Sequence, residues 1–97
     1  MHLEEAKSVL QGPIDKRTFR FVRAAAVLCA PENANVVTIQ ELLDCLRLGN
    51  GSKRFALLAE YAATALYTRT KRHWAKGSLA ETDVNGWILY LKEHGFI

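Results

Sequence analysis

From Phe55 to Tyr67 only Glu60 and Thr64 interrupt a run of apolar and small residues. Wound at ~100° per residue, Lys53, Glu60, Thr64, Thr68 and Lys71 fall on one narrow stripe. Phe55, Leu57, Leu58, Ala59, Tyr61, Ala62, Ala65 and Leu66 cover the remaining circumference. A helix apolar on nearly every side is one its neighbours surround, so the pattern predicts a central helix over about 53–72, with Ser52 as N-cap. Ala59, Ala62, Ala63 and Ala65 would let adjacent helices approach closely. The run is too short and too interrupted for a membrane span, which needs roughly 20 apolar residues.

Four further elements follow from the same periodicity. Leu3, Ala6, Val9 and Leu10 mark a short amphipathic helix, with Glu4 and Glu5 in its first turn and Gly12-Pro13 as its stop, glycine suiting a left-handed cap. A second helix is expected from about Asp15 to Ala30, its apolar face made by Phe19, Val22, Ala25, Ala26 and Cys29 and widened by Phe21 and Leu28. Thr38 and Glu41 are spaced as a capping box, and Val37 with Leu42 as a hydrophobic staple. Ile39, Leu42, Leu43 and Leu46 continue that third helix, and Gly49 is read as its end. The last helix begins near Ser78 or Thr82, where Ser78 and Glu81 have capping-box spacing. Val84, Trp87, Ile88 and Leu91 form its buried stripe. Gly95 with Leu91 and Phe96 has the spacing of a Schellman cap, and Phe96-Ile97 should fold back on the core. Val36-Val37 is the only β-like run. The fold class expected is therefore all-α: a single domain over 1–97, a compact bundle of four to five helices.

Composition changes this picture little. The chain has 97 residues, enough for one core without disulfides, and ordinary apolar and charged fractions. Nothing in the first residues resembles a signal peptide, so a cytoplasmic protein is expected. Cys29 and Cys45 lie on apolar faces, as buried free thiols do in a reducing compartment; a disulfide between them is the alternative. His2, His73 and His94 are scattered and neither cysteine has a partner at C-x-x-C distance, so no metal or other cofactor is expected. The carboxylates are spread along helix surfaces, and no serine or cysteine sits in a nucleophile motif. The expectation is a protein that is not an enzyme, with no evident small-molecule substrate. Gly49-Asn50-Gly51-Ser52-Lys53 could hold an anion at free N–H groups, but no strand precedes it.

The formal net charge is only +3, so its distribution matters more than its sum. Lys16, Arg20 and Arg23 share one side of the second helix, with Arg17 at its edge. Cations near a helix N-terminus oppose the dipole. A phosphate backbone is one candidate to offset that cost; the plainer reading is a solvated face whose long stems cover apolar surface. The run Arg69-Thr70-Lys71-Arg72-His73-Trp74-Ala75-Lys76 is the densest positive charge, and the dipole at a helix C-terminus already accounts for it. Trp74 either docks on the core or stands exposed.

Thr38 to Leu48, followed by a Gly/Ser turn and Lys53-Arg54 opening a helix, resembles the generic helix-turn-helix of transcriptional regulators. Val84 to Ile97 is similar to the tail of a recognition helix in winged-helix domains. The resemblance covers about half of the chain. It implies that Ser52, Lys53 and Arg54 enter the major groove, and that Arg20, Arg23, Arg69, Lys71 and Arg72 contact phosphates, with Lys16 and Lys76 adding to the basic surface. Two readings follow. One is a small DNA-binding regulator, of a kind that would suit a phage or mobile element. The other is a non-enzymatic protein-protein interaction module: an adaptor, inhibitor or accessory subunit. Either would act as a homodimer. Exposed aromatics among Tyr61, Tyr67, Trp74, Trp87 and Tyr90 would favour the second; buried aromatics with arginines on one face would favour the first.

Overall fold

The computed structural model describes residues 1–13, 18–71 and 82–97. It contains helices α1 (Leu3–Gln11), α2 (Thr18–Leu28), α3 (Ile39–Asn50), α4 (Ala56–Thr70) and α5 (Val84–Glu93), with 3₁₀ turns at Pro31–Asn33 and Lys53–Phe55. Among the described residues there is no strand, so Val36-Val37 does not pair. No helix there is long and apolar enough to cross a membrane. The domain is all-helical, as the pattern implies.

The best-defined start is that of α3. Thr38 Oγ1 accepts from the Glu41 N–H at 3.1 Å and Glu41 Oε1 accepts from the Thr38 N–H at 2.9 Å, the reciprocal capping box. Val37 and Leu42, the staple pair, are both buried. Glu41 also pairs with Lys7 of α1 at 3.1 Å, which ties the first helix to the third. Partial burial alone would raise the Glu41 carboxyl, but the hydrogen bonds from Thr38 and the Lys7 ammonium outweigh it and hold it below its ordinary value of 4.5.

A carboxyl with a depressed native pKa adds stability that is complete above the ordinary value and is lost as pH falls through the native one. Glutamine still completes a capping box, so Glu41→Gln removes chiefly the charge. The variant should melt below wild type at pH 7, and the gap should close on acidification below about pH 4.5. A gap unchanged down to pH 3 in thermal melts would show that the Glu41 charge is not what stabilises this junction.

α4 packs along α3, touches α2, and meets α5 edge-to-face through Tyr67 and Trp87, whose ring centroids lie 5.4 Å apart. α1 packs on α2. Leu58, Ala62, Leu66, Trp87 and Leu91 have no exposed surface and form the middle of the core. Gly49 does not end α3. It is buried inside the helix, and a Cβ built on it would lie 2.2 Å from the backbone N of Ala59. The glycine is there because the α3 and α4 backbones touch.

Several other expectations are corrected. Ser52 caps the 3₁₀ turn, its hydroxyl accepting from the Arg54 N–H at 3.2 Å, and α4 proper starts at Ala56. α4 is not enclosed: Leu57 and Tyr61 are exposed beside Glu60, Thr64 and Thr68, and no described element covers that face. α2 buries Phe21, Ala24, Ala25 and Leu28, whereas Phe19 is 72% exposed and Ala26 is on the surface. Two overlapping apolar stripes compete on that helix, and the one that places Ala24 and Ala25 inward lets α1 and α4 come close. Gly12 is extended at φ −80°, not left-handed. α5 is capped by Asp83, whose Oδ1 accepts from the Asn85 N–H at 3.1 Å; Asp15, Ser78 and Glu81 lie outside the described residues. The Schellman cap is present: Gly95 has φ 75°, Phe96 N–H donates to the Leu91 carbonyl and Gly95 N–H to that of Lys92. Phe96 and Ile97 nonetheless stay largely exposed. Cys29 and Cys45 are free thiols, half-buried and buried respectively.

Candidate nucleic-acid interface

α2 adjoins the 3₁₀ turn that opens onto α4, and the contact is built on Phe21 and Phe55, tilted rings 5.5 Å apart. Both rings are buried, so the residues flanking them in sequence are carried to the surface. These are Arg20 and Arg23 on α2 and Ser52, Lys53 and Arg54 on the turn, all exposed. No carboxylate pairs with any of the four cations among the described residues. α2 itself contains no acid. Positive charge therefore accumulates at this junction from two separate stretches of sequence.

Phe19 belongs to the same end of α2. Its ring is exposed, and the Arg23 guanidinium lies over it at 6.0 Å from the centroid. Read from the sequence as core, it stands instead as an aromatic surface beside cations. The signal was available: Arg23 follows it at i+4, the spacing that brings side chains together on a helix.

The second basic cluster is not continuous with the first. α4 has fifteen residues, about 22 Å at 1.5 Å per residue, and it separates Lys53 and Arg54 from Arg69 and Lys71. Arg69 is half-buried and donates to the Val37 carbonyl. Lys71 is exposed and ends α4 in the left-handed region at φ 58°. Lys16, Arg72, Trp74 and Lys76 lie outside the described residues.

The neighbouring Cys29 thiol, together with burial, pushes the Cys45 thiol up, away from the reactive thiolate, and its Sγ donates to the Leu58 carbonyl at 3.7 Å. Among the described residues no group of histidine, cysteine and acidic side chains could hold a metal ion. Of the aromatics weighed above, Trp87 is buried, Tyr67 and Tyr90 are half-buried and Tyr61 is exposed. On α3, Asp44 accepts from Gln40 at 3.0 Å and pairs with Arg47 at 3.5 Å, so that face is charge-balanced. No family model, no curated protein and no solved structure matches this chain.

Proposed function

We propose that the protein is a small DNA-binding regulator, of a kind that a phage or mobile element would carry, and that it contacts the duplex at the junction of α2 with the turn before α4. The observation that carries this reading is the set of four exposed cations there, Arg20, Arg23, Lys53 and Arg54, without carboxylate partners among the described residues. In this reading Ser52, Lys53 and Arg54 reach base edges, as the start of the second helix does in a helix-turn-helix. Arg20 and Arg23 hold phosphates. Arg69 and Lys71, at the far end of α4, are peripheral to this contact. Lys71 could reach the same duplex only about six base pairs away, at about 3.4 Å per step. The protein acts as a homodimer, two copies presenting the junction to two half-sites.

The test is a fluorescence-anisotropy titration of a labelled duplex at several salt concentrations. Two phosphate contacts per chain, from Arg20 and Arg23, predict a slope of log K against log salt near about −1.8 per chain. Arg20→Ala with Arg23→Ala should flatten the slope by about 2 per chain for all sequences alike. Lys53→Ala with Arg54→Ala should relax sequence preference by about 1–3 kcal/mol per lost base contact. A stoichiometry of two chains per duplex is expected. No binding at low salt ends the DNA reading.

A second reading rests on a different observation. Leu57 and Tyr61 are exposed on consecutive turns of α4, and apolar and aromatic surface of that kind suits a protein partner. If the titration is blank, an interaction module acting through α4 becomes the better account.

A further inference from the structure

Between the end of α2 and the far end of α4 lies a small cavity of about 120 Å³ that opens to solvent. Its walls are apolar: Leu28, Pro31, Val37, Leu42 and Ala65 supply most of them. At its rim stands Arg69. We propose that this cavity is a binding site for a small apolar monocarboxylate, such as a medium-chain fatty acid, with the acid on Arg69 and the hydrocarbon body against Leu28, Val37, Leu42 and Ala65.

The case begins with the guanidinium. Arg69 is half-buried, yet its partner among the described residues is the Val37 carbonyl, a neutral acceptor. A guanidinium carries five N–H donors, so several remain after that bond is made. Buried charge is normally paired, because withdrawing it from water without a counter-charge is costly. No carboxylate among the described residues supplies that counter-charge to Arg69. Because the Val37 bond orients the fork, a carboxylate would meet it in the two-point geometry that gives such pairs their strength. Thr64 also lines the cavity and offers a hydroxyl donor. The Thr68 hydroxyl donates instead to the Thr64 carbonyl at 3.1 Å.

The walls decide the rest of the ligand. One cation suits a monoanion better than a phosphate dianion, and apolar walls reject a nucleotide or sugar. The enclosed space, about 120 Å³, lies below the usual range for ligand pockets, roughly 300–1,000 Å³, so the body is short and only partly enclosed. A ligand there would touch α4, the start of α3 and the segment after α2 at once. The site lies at the opposite end of α4 from the basic junction and does not depend on that surface binding DNA.

The experiment is a titration of the whole protein with octanoate, followed by amide NMR and by melting temperature, with octanol and acetate as controls. Octanoate should saturate, shift the amides of Leu42, Ala65 and Arg69 together, and raise the melting temperature. Octanol lacks the charge and acetate lacks the body, so each should bind at least about tenfold more weakly. Arg69→Gln should lose about tenfold in octanoate affinity. Should that variant fail to fold for want of the Val37 bond, Ala65→Phe fills the cavity and should block binding while leaving Arg69 intact. No saturable shift at millimolar octanoate overturns the proposal, as does equal binding of octanol. Undiminished binding by folded Arg69→Gln or Ala65→Phe overturns it as well.

Discussion

Gly49→Ala is expected to destabilise the domain by about 2–3 kcal/mol, although alanine is the better helix former. Two effects of opposite sign meet at this position. In a helix interior the change from glycine to alanine gains about 1 kcal/mol through propensity. Against that, the new Cβ would lie 2.2 Å from the Ala59 backbone N and 2.7 Å from its Cα. Overpacking costs about 1–3 kcal/mol where side chains can shift. Here the obstacle is backbone, so α3 and α4 must separate along the largest interface in the molecule, and the cost reaches or exceeds the top of that range. The clash wins. Gly51→Ala provides the control: its Cβ would meet nothing closer than the Leu48 carbonyl at 3.4 Å, and its φ of −74° suits any residue. Chemical denaturation of both variants should show a large loss for the first and almost none for the second. Equal stability of the two would mean that the helices do not touch at Gly49.

Ala62→Asp is expected to abolish the fold. Ala62 has no exposed surface and sits on the face of α4 that also carries Leu58, Ala59 and Leu66, all buried. An aspartate there either keeps its charge out of water, at a cost of several kcal/mol, or takes up a proton at neutral pH and still leaves polar atoms among hydrocarbon. A domain of this size has a total stability of only about 5–15 kcal/mol, and the extra volume adds strain to a contact made by alanines. Circular dichroism should show loss of helix and of a cooperative melt. The same replacement at Thr64, two residues on and on the opposite, exposed face, should be tolerated. A cooperatively melting Ala62→Asp protein would relocate the core.

What could be read in the chain divides by the range of the interaction involved. The start of α3 was legible because Thr38 and Glu41 satisfy each other within one turn, and the Schellman end of α5 was legible for the same reason. Gly49 was not. A glycine that stops a helix and one that admits a neighbouring backbone look alike until Ala59 is known to lie against it. The two apolar stripes of α2 are likewise equivalent until α1 and α4 choose between them. Of the candidate site, the exposure of Lys53 and Arg54 followed from the turn that precedes α4. Their proximity to Arg20 and Arg23 came only through the Phe21–Phe55 contact. The cavity beside Arg69 draws on residues from Leu28 to Arg69 and has no signature in any one stretch.

The helices differ in how far along the chain they reach for their partners. α1 with α2, and α3 with α4, pair with sequence neighbours, so little loop-closure entropy opposes their meeting. α5 is different: beyond its packing on α3 and α4, Asn50 reaches across 32 residues to the Thr82 carbonyl just before it. Assembly should therefore proceed as two helical hairpins, the second drawn tight at Gly49, onto which α5 docks last with Trp87 as its wedge. The late-docking helix is also the one whose backbone amides should exchange with solvent most readily in the native state. Its opening exposes the Tyr67 side of α4 and leaves the Phe21–Phe55 junction in place.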